Sequence, residues 1–265
     1  MENVENKTLG IAIIESLKVD DKKTGTIICE EVLKSVRFEH LNINTYFYSV
    51  NDRVEFFDAL NDIIDKIKND EYIPILQIET HGCENSFRLT SSEIITWEEV
   101  LAETRKINIL LKNKLALFIC ACKGNSIIGS IDPSQRAPFR FLISSFKKLN
   151  RFEIFNAFEK FYNSFLNSIP ISECIQLMNK EIDADKALFY YITSSQCFES
   201  MISLNRDKNN LNGLINVIAV KEKASNPEYK KVEFAIVKQK VEKKVKLMVS
   251  DLENMRGYFE MTDLQ

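Results

Sequence analysis

The stretch "LALFICACKGN", Leu115 to Asn125, decides the fold. It is an apolar run that stops at two cysteines and a glycine. A short continuous apolar run bounded by turn signals reads as a strand buried on both faces, as in the middle of a parallel sheet. Cys120 and Cys122 then stand where the strand meets its loop. Core packing, metal binding and catalysis are the three roles open to them.

Outward from this strand, apolar runs alternate with helical patterns. "LGIAIIES" (Leu9 to Ser16), "NINTYFYSV" (Asn42 to Val50) and "IPILQIETHG" (Ile73 to Gly82) read as strands upstream. Pro74 sits near the start of its strand, where a missing N–H is tolerated. "FRFLISSF" (Phe139 to Phe146) and "ALFYYITSS" (Ala187 to Ser195) read as strands downstream. Between them, Ile27, Ile28, Val32 and Val36 recur at helical spacing, as do Val54, Phe57, Leu60, Ile64 and Ile67. Residues 91–113 read as mostly helix, and 151–168 and 172–182 as two more helices. This alternation predicts an α/β fold: a mostly parallel six-stranded sheet with helices on both faces.

Residues 205–265 differ, and are expected to form a C-terminal accessory segment beside a main domain over 1–204. "RDKNNLNG" (Arg206 to Gly213) reads as a loop and "LINVIAV" (Leu214 to Val220) as a strand. Asn226 is a candidate N-cap, with Pro227 first in the helix and Glu228 in its first turn. Val232, Ile236, Val241, Val245, Val249 and Leu252 form a long stripe, though the β-branched content leaves a strand pair open.

Composition narrows the function. The net charge of −3 over 265 residues gives no basis for a nucleic-acid surface. The N-terminus "MENVENKTLG" has no apolar signal region, and no run approaches the ~20 residues of a membrane span. Six scattered cysteines do not form a disulfide framework, so a reduced, cytoplasmic protein is expected. Only two histidines are present, His40 and His81, so any Cys–His or Ser–His chemistry must use one of them.

Active sites of such sheets gather at the carboxyl ends of the strands. There the sequence places His81-Gly82 and Cys122-Lys123-Gly124. Two of the chain's seven glycines thus stand beside the only plausible Cys–His pair, where glycine permits φ > 0 or close backbone approach. An imidazole beside a thiol can generate a nucleophilic thiolate, and the Gly82 and Cys122 amides can hold the resulting oxyanion. Four potential zinc ligands also occur, as His81-x-Cys83 and Cys120-x-Cys122, but one-residue spacing within strands suits a structural zinc site poorly. Neither metal nor cofactor is expected. Cys120, two residues before Cys122 on the same face, is expected to pack in the core behind it or to line a pocket.

These pieces resemble the caspase-like cysteine peptidases, nearest the bacterial CHAT-type peptidases. "ETHG" is similar to the family's strand-three histidine and glycine, and "FICACKG" to its Ala-Cys-x-Gly nucleophile pattern. The segment from "APFRFLISSF" through "SECIQLMN" resembles the CHAT continuation, and the likeness spans roughly residues 9 to 200. It implies a caspase-like sandwich and an endopeptidase with Cys122 as nucleophile, His81 as general base, and Gly82 and the Cys122 amide as oxyanion hole. The partners it implies are a protein or peptide substrate and a regulatory protein, with a role in antiviral defence or cell death.

The sequence also departs from the family. Cys120 occupies the pocket position that is glutamine in caspases and aspartate in metacaspases. Lys23 stands where caspases carry the arginine that grips an acidic substrate side chain, and a lysine lacks its bidentate fork. Lys147, Lys148 and Arg151 could add positive charge, whereas Glu15 and Asp132 favour a basic side chain. Cleavage after Asp132 would be the counterpart of caspase maturation, but a single chain switched by a partner is expected. The rivals are a non-catalytic interaction module of the same fold and a nucleotide or flavin binder. The latter lacks a Gly-rich phosphate loop after the first strand.

Overall fold

The computed structural model describes residues 9–21, 23–34, 43–69, 71–147, 151–180, 187–206, 208–229 and 231–265. Val36, His40, Lys148 and the side chain of Arg151 lie outside this description. Contacts divide the chain into two compact units, Met1–Ile131 with Ala137–Ser194, and Asp132–Arg136 with Ser195–Gln265.

The first unit is α/β. Its main sheet has strands β1 (Leu9–Ser16), β2 (Ile43–Ser49), β3 (Tyr72–Gly82), β6 (Ala116–Cys120), β7 (Phe141–Ser144) and β8 (Tyr190–Thr193). They lie in the order β2-β1-β3-β6-β7-β8. All neighbours are parallel except β7 and β8, so the sheet is mixed but mostly parallel. Two further strands, β4 (Ser86–Arg88) and β5 (Ile94–Thr96), form an antiparallel hairpin that pairs with the end of β3. The sequence reads Ile94–Thr96 as helix; three residues are too few to show a period-2 pattern.

Both faces of the inner strands β1, β3, β6 and β7 are buried, which is why these read as largely continuous apolar runs. Ile11, Ile13, Ile75 and Phe118 are buried on one face, and Ala12, Ile14, Leu76, Ile78, Leu117 and Ile119 on the other. Helices α1 (Thr24–Ile27, continuing as a π turn over Ile28–Leu33), α4 (Arg151–Leu166) and α5 (Ile171–Met178) cover the first face. Phe118 meets the rings of Phe158 and Phe161 there, at 5.7 and 5.0 Å between centroids.

Helices α2 (Arg53–Lys68) and α3 (Trp97–Leu110) serve the second face. Asp52 caps α2 through the Glu55 amide, and Thr96 with Glu99 forms a capping box on α3. The buried side of α2 is Phe56, Ala59, Leu60, Ile63, Ile64 and Ile67. Val54, expected on that side, is 69% exposed. Phe56 instead packs on Phe87 of the hairpin, at 5.3 Å, and sets the helix's rotation.

The second unit is helical: α6 (Ser194–Arg206), α7 (Lys208–Ser225), α8 (Phe234–Asn254) and α9 (Arg256–Phe259). "LINVIAV" lies inside α7, and so does most of the expected loop before it. Ile215 and Ala219 recur with helical spacing and pack on Val237, Val241 and Val245 of α8. That tertiary contact overrides the β propensity of the run. Ile236, placed on the stripe by the sequence, is 45% exposed; Val237 takes its place. Asn226 accepts from the Glu228 amide, but it caps only the 3-10 turn Pro227–Tyr229, and α8 begins at Phe234. Arg136 makes a two-pronged ion pair with Asp263, at 2.8 and 2.6 Å, and its guanidinium lies over the Tyr258 ring.

Candidate active site

The parallel register of β3 and β6 pairs Glu79 with Cys120 at its last rung. His81 stands two residues beyond this rung on β3, and Cys122 two residues beyond it in the turn that follows β6. Gly82 marks the close approach of the two segments. A Cβ built there would lie 2.4 Å from the Cys122 carbonyl oxygen and 2.8 Å from the Ala121 Cβ. Only glycine lets the two backbones meet in this way. Gly124 plays a similar part, since a Cβ there would lie 2.5 Å from the Ile119 Cγ2.

Of the two uses of glycine that the sequence leaves open, these residues serve close approach. No glycine has a positive φ; the left-handed residue is Lys123, with φ of 56°. Its loop is stitched to the end of β7. The Lys123 and Asn125 amides donate to the Lys147 and Ser145 carbonyls at 3.3 and 3.1 Å. The Ser144 hydroxyl donates to Asn125 Oδ1 at 2.7 Å. Cys122 itself is partly exposed.

His81 is half exposed, and its Nε2 lies 2.7 Å from Asp21 Oδ2. Asp21 sits in the loop after β1, pinned by the Lys18 amide at 2.9 Å. The hydrogen bond with His81 holds its carboxyl below the usual carboxylate range. With Nε2 donating to this carboxylate, Nδ1 is the ring's remaining basic nitrogen. Lys23, from the same loop, donates its ammonium to the Leu17 carbonyl and closes the loop.

Behind the rim lies a buried polar row. Glu15, Glu79 and Cys120 are in register across β1, β3 and β6. Cys120 is 2% exposed, and its thiol is pushed well up by burial and by the Glu79 charge beside it. It belongs to the core cluster on the first face of the sheet rather than lining an open pocket. Burial also raises the Glu79 carboxyl to about 7. Glu79 accepts from Thr24 Oγ1 at 2.7 Å and from Gln77 Nε2 at 2.5 Å, and Gln77 accepts from the Tyr162 hydroxyl. Glu15 accepts from the Gly25 amide and from the Thr26 amide and hydroxyl. The start of α1, where a phosphate-binding loop would hold its ligand, is thus filled by the protein's own carboxylate.

The remaining sequence candidates disperse. Asp132 belongs to the second unit and accepts from the Ser134 amide and hydroxyl and from the Gln135 side chain. Among the described residues no three His, Cys, Asp or Glu side chains group as metal ligands. His81 faces Asp21, Cys83 bonds Ser86 and Cys120 lies on Glu79. Among the same residues, no helix is long and apolar enough to cross a membrane.

Asp21 and the Gln77–Glu79 pair are the residues that sequence reasoning missed. Two polar residues at i and i+2 within the run "ILQIET" are the signal for the buried row. Asp21 carries no such signal. A scan of protein-family models and a search of curated proteins return no match to this chain.

Proposed function

We propose that the protein is a caspase-fold cysteine endopeptidase that cleaves a protein substrate inside the cell. The observation that supports this is the close approach of Gly82 to the Cys122 carbonyl, which brings the chain segments carrying His81 and Cys122 together at the carboxyl rim of the sheet. His81 Nδ1 takes the thiol proton, and the thiolate attacks the scissile carbonyl carbon. The Gly82 and Cys122 amides hold the oxyanion. As the intermediate collapses, the C–N bond breaks and the leaving amine takes the proton from His81. Water, with His81 again as base, releases the acid product and restores the thiol. Asp21 keeps the imidazole in the required tautomer and stabilises its cationic form. The second unit serves activation by a protein partner, and the likeness to CHAT-type peptidases extends the proposal to defence or cell death.

The test is labelling with a thiol-reactive peptidyl probe, together with cleavage of a peptide library randomised at the residue before the scissile bond. Wild type is expected to label at one cysteine and to hydrolyse a subset of the library, and Cys122→Ala to do neither. Equal labelling or equal hydrolysis by Cys122→Ala would sink the proposal.

A further inference from the structure

We propose that a cavity beside His81 receives an acidic side chain from the substrate segment that follows the scissile bond; this rests on the peptidase reading above.

The cavity holds about 390 Å³. Its walls are Ser16 and Lys18 beyond β1, His81 to Cys83 on β3, and the β4–β5 hairpin with Arg88. Its volume is near the lower end for small-molecule pockets, enough for one or two side chains. Phe87 and Leu89, both buried, give it an apolar floor, and Thr90 adds a hydroxyl that pairs with that of Ser16.

Location assigns the substrate segment. β3 stands between β1 and β6. The cavity, built from β1, β3 and the hairpin, therefore lies on the side of His81 away from Cys122. The imidazole must reach both the thiol and the leaving amine, so the leaving segment passes on the imidazole's side of the thiol. That segment enters the cavity next.

Charge assigns the chemistry. Lys18 and Arg88 line the cavity, and no carboxylate does. Neither their ammonium nor their guanidinium has a hydrogen bond or an ion pair among the described residues. Among the carboxylates of the adjoining segments, Asp21 bonds His81, Glu84 bonds Lys123, Glu93 bonds the Arg53 amide and Ser91, and Asp20 is exposed. Two cations above an apolar floor suit a carboxylate on a short aliphatic stem; Asp21, whose charge reaches Lys18, is itself bound by His81.

Cys83 reports the field inside the cavity without any need for catalysis. It is exposed, lines the cavity, and has its thiol lowered by the Ser86 hydroxyl. In Cys122→Ala protein the other thiols are buried or, for Cys29, half buried and pushed up to about 12. Cys83 then reacts with an anionic or a cationic methanethiosulfonate. The anionic-to-cationic rate ratio is expected to fall about tenfold when Lys18→Ser and Arg88→Ser are added. Equal ratios would overturn the proposal.

In a second arm, wild type is offered peptides randomised at the two positions after the cleaved bond. Asp and Glu are expected to be favoured about tenfold, and Arg88→Glu to reverse the preference toward Lys and Arg. Cleavage without an acidic preference overturns the proposal and leaves the peptidase standing, whatever the thiol rates. A charge-dependent thiol ratio with no peptide cleaved overturns the peptidase reading, and with it the assignment to the leaving segment.

Discussion

Glu15, Glu79 and Cys120 form one row across β1, β3 and β6; the rim one step beyond holds Asp21, His81 and Cys122. On β3 the step is two residues, roughly 6.6 Å along the strand, while Asp21 and Cys122 come from the loops after β1 and β6. The inner row contains two carboxylates and a thiol, and the outer row one carboxylate, an imidazole and a thiol. The inner row is sealed under α1 and α4, so its thiol is held protonated and its Glu79 carboxyl is raised. The outer row meets water, and its Asp21 carboxyl is lowered by the imidazole it binds. Depth, rather than residue type, separates the thiol sealed in the core from the one left partly exposed at the rim.

The sharpest way to break this contrast is to push the outer row apart. Gly82→Ala sets a methyl group against the Cys122 carbonyl, a backbone atom that cannot swing away. Peptide turnover is expected to fall about a hundredfold, as small misplacements of reacting groups do. Overpacking should cost about 1–3 kcal/mol in a urea melt. Turnover close to wild type would show that the contact does not position the pair.

Asp21→Asn removes the charge and keeps the shape. About a tenfold loss in kcat is expected with KM little changed, since Asp21 is partly solvated and acts through His81. Asp21→Glu should recover part of it, and a loss confined to KM would point to substrate binding instead. The sign with pH follows from the lowered carboxyl. Its contribution to stability is present above the unfolded value and is lost as pH falls below about 3.8.

Glu79→Gln probes the inner row, with the smallest effect on turnover. In wild type the folded state keeps a proton on Glu79 that the unfolded chain has released, between its ordinary 4.5 and about 7. Stability therefore falls as pH rises through that window, by on the order of 1 kcal/mol per pH unit. Urea melts from pH 5 to 8 should show this slope in wild type and a flatter line in Glu79→Gln. Identical slopes would mean that the carboxyl stays ionised.

What the sequence made legible follows from which forces leave a periodic trace. The inner strands β1, β3, β6 and β7 stand out because burial on both faces makes each a largely continuous apolar run, whereas the edge strands β2 and β8, only partly buried, stand out by their aromatic and β-branched content. His81 and Cys122 were readable as strand-end residues because β3 and β6 are inner strands. The hairpin was not, because its strands are three residues long, and α7 was not, because its β-branched run takes its helical form from packing on α8. Asp21 was hidden in the polar loop "LKVDDKKTGT". Only the strand order, which sets β1 beside β3, brings that loop to His81.

β3 changes partner along its length. Through Glu79 it is paired with β6, and at His81 and Gly82 it is paired with β4. The thiol is thus mounted beyond a central strand, and the imidazole where β3 joins two three-residue strands. Such a hairpin opens at a lower free energy than the whole sheet. The fraction of time the two groups are aligned is then a local equilibrium, and a ligand that bridges the hairpin to β1 shifts it toward alignment by its preference for the closed form.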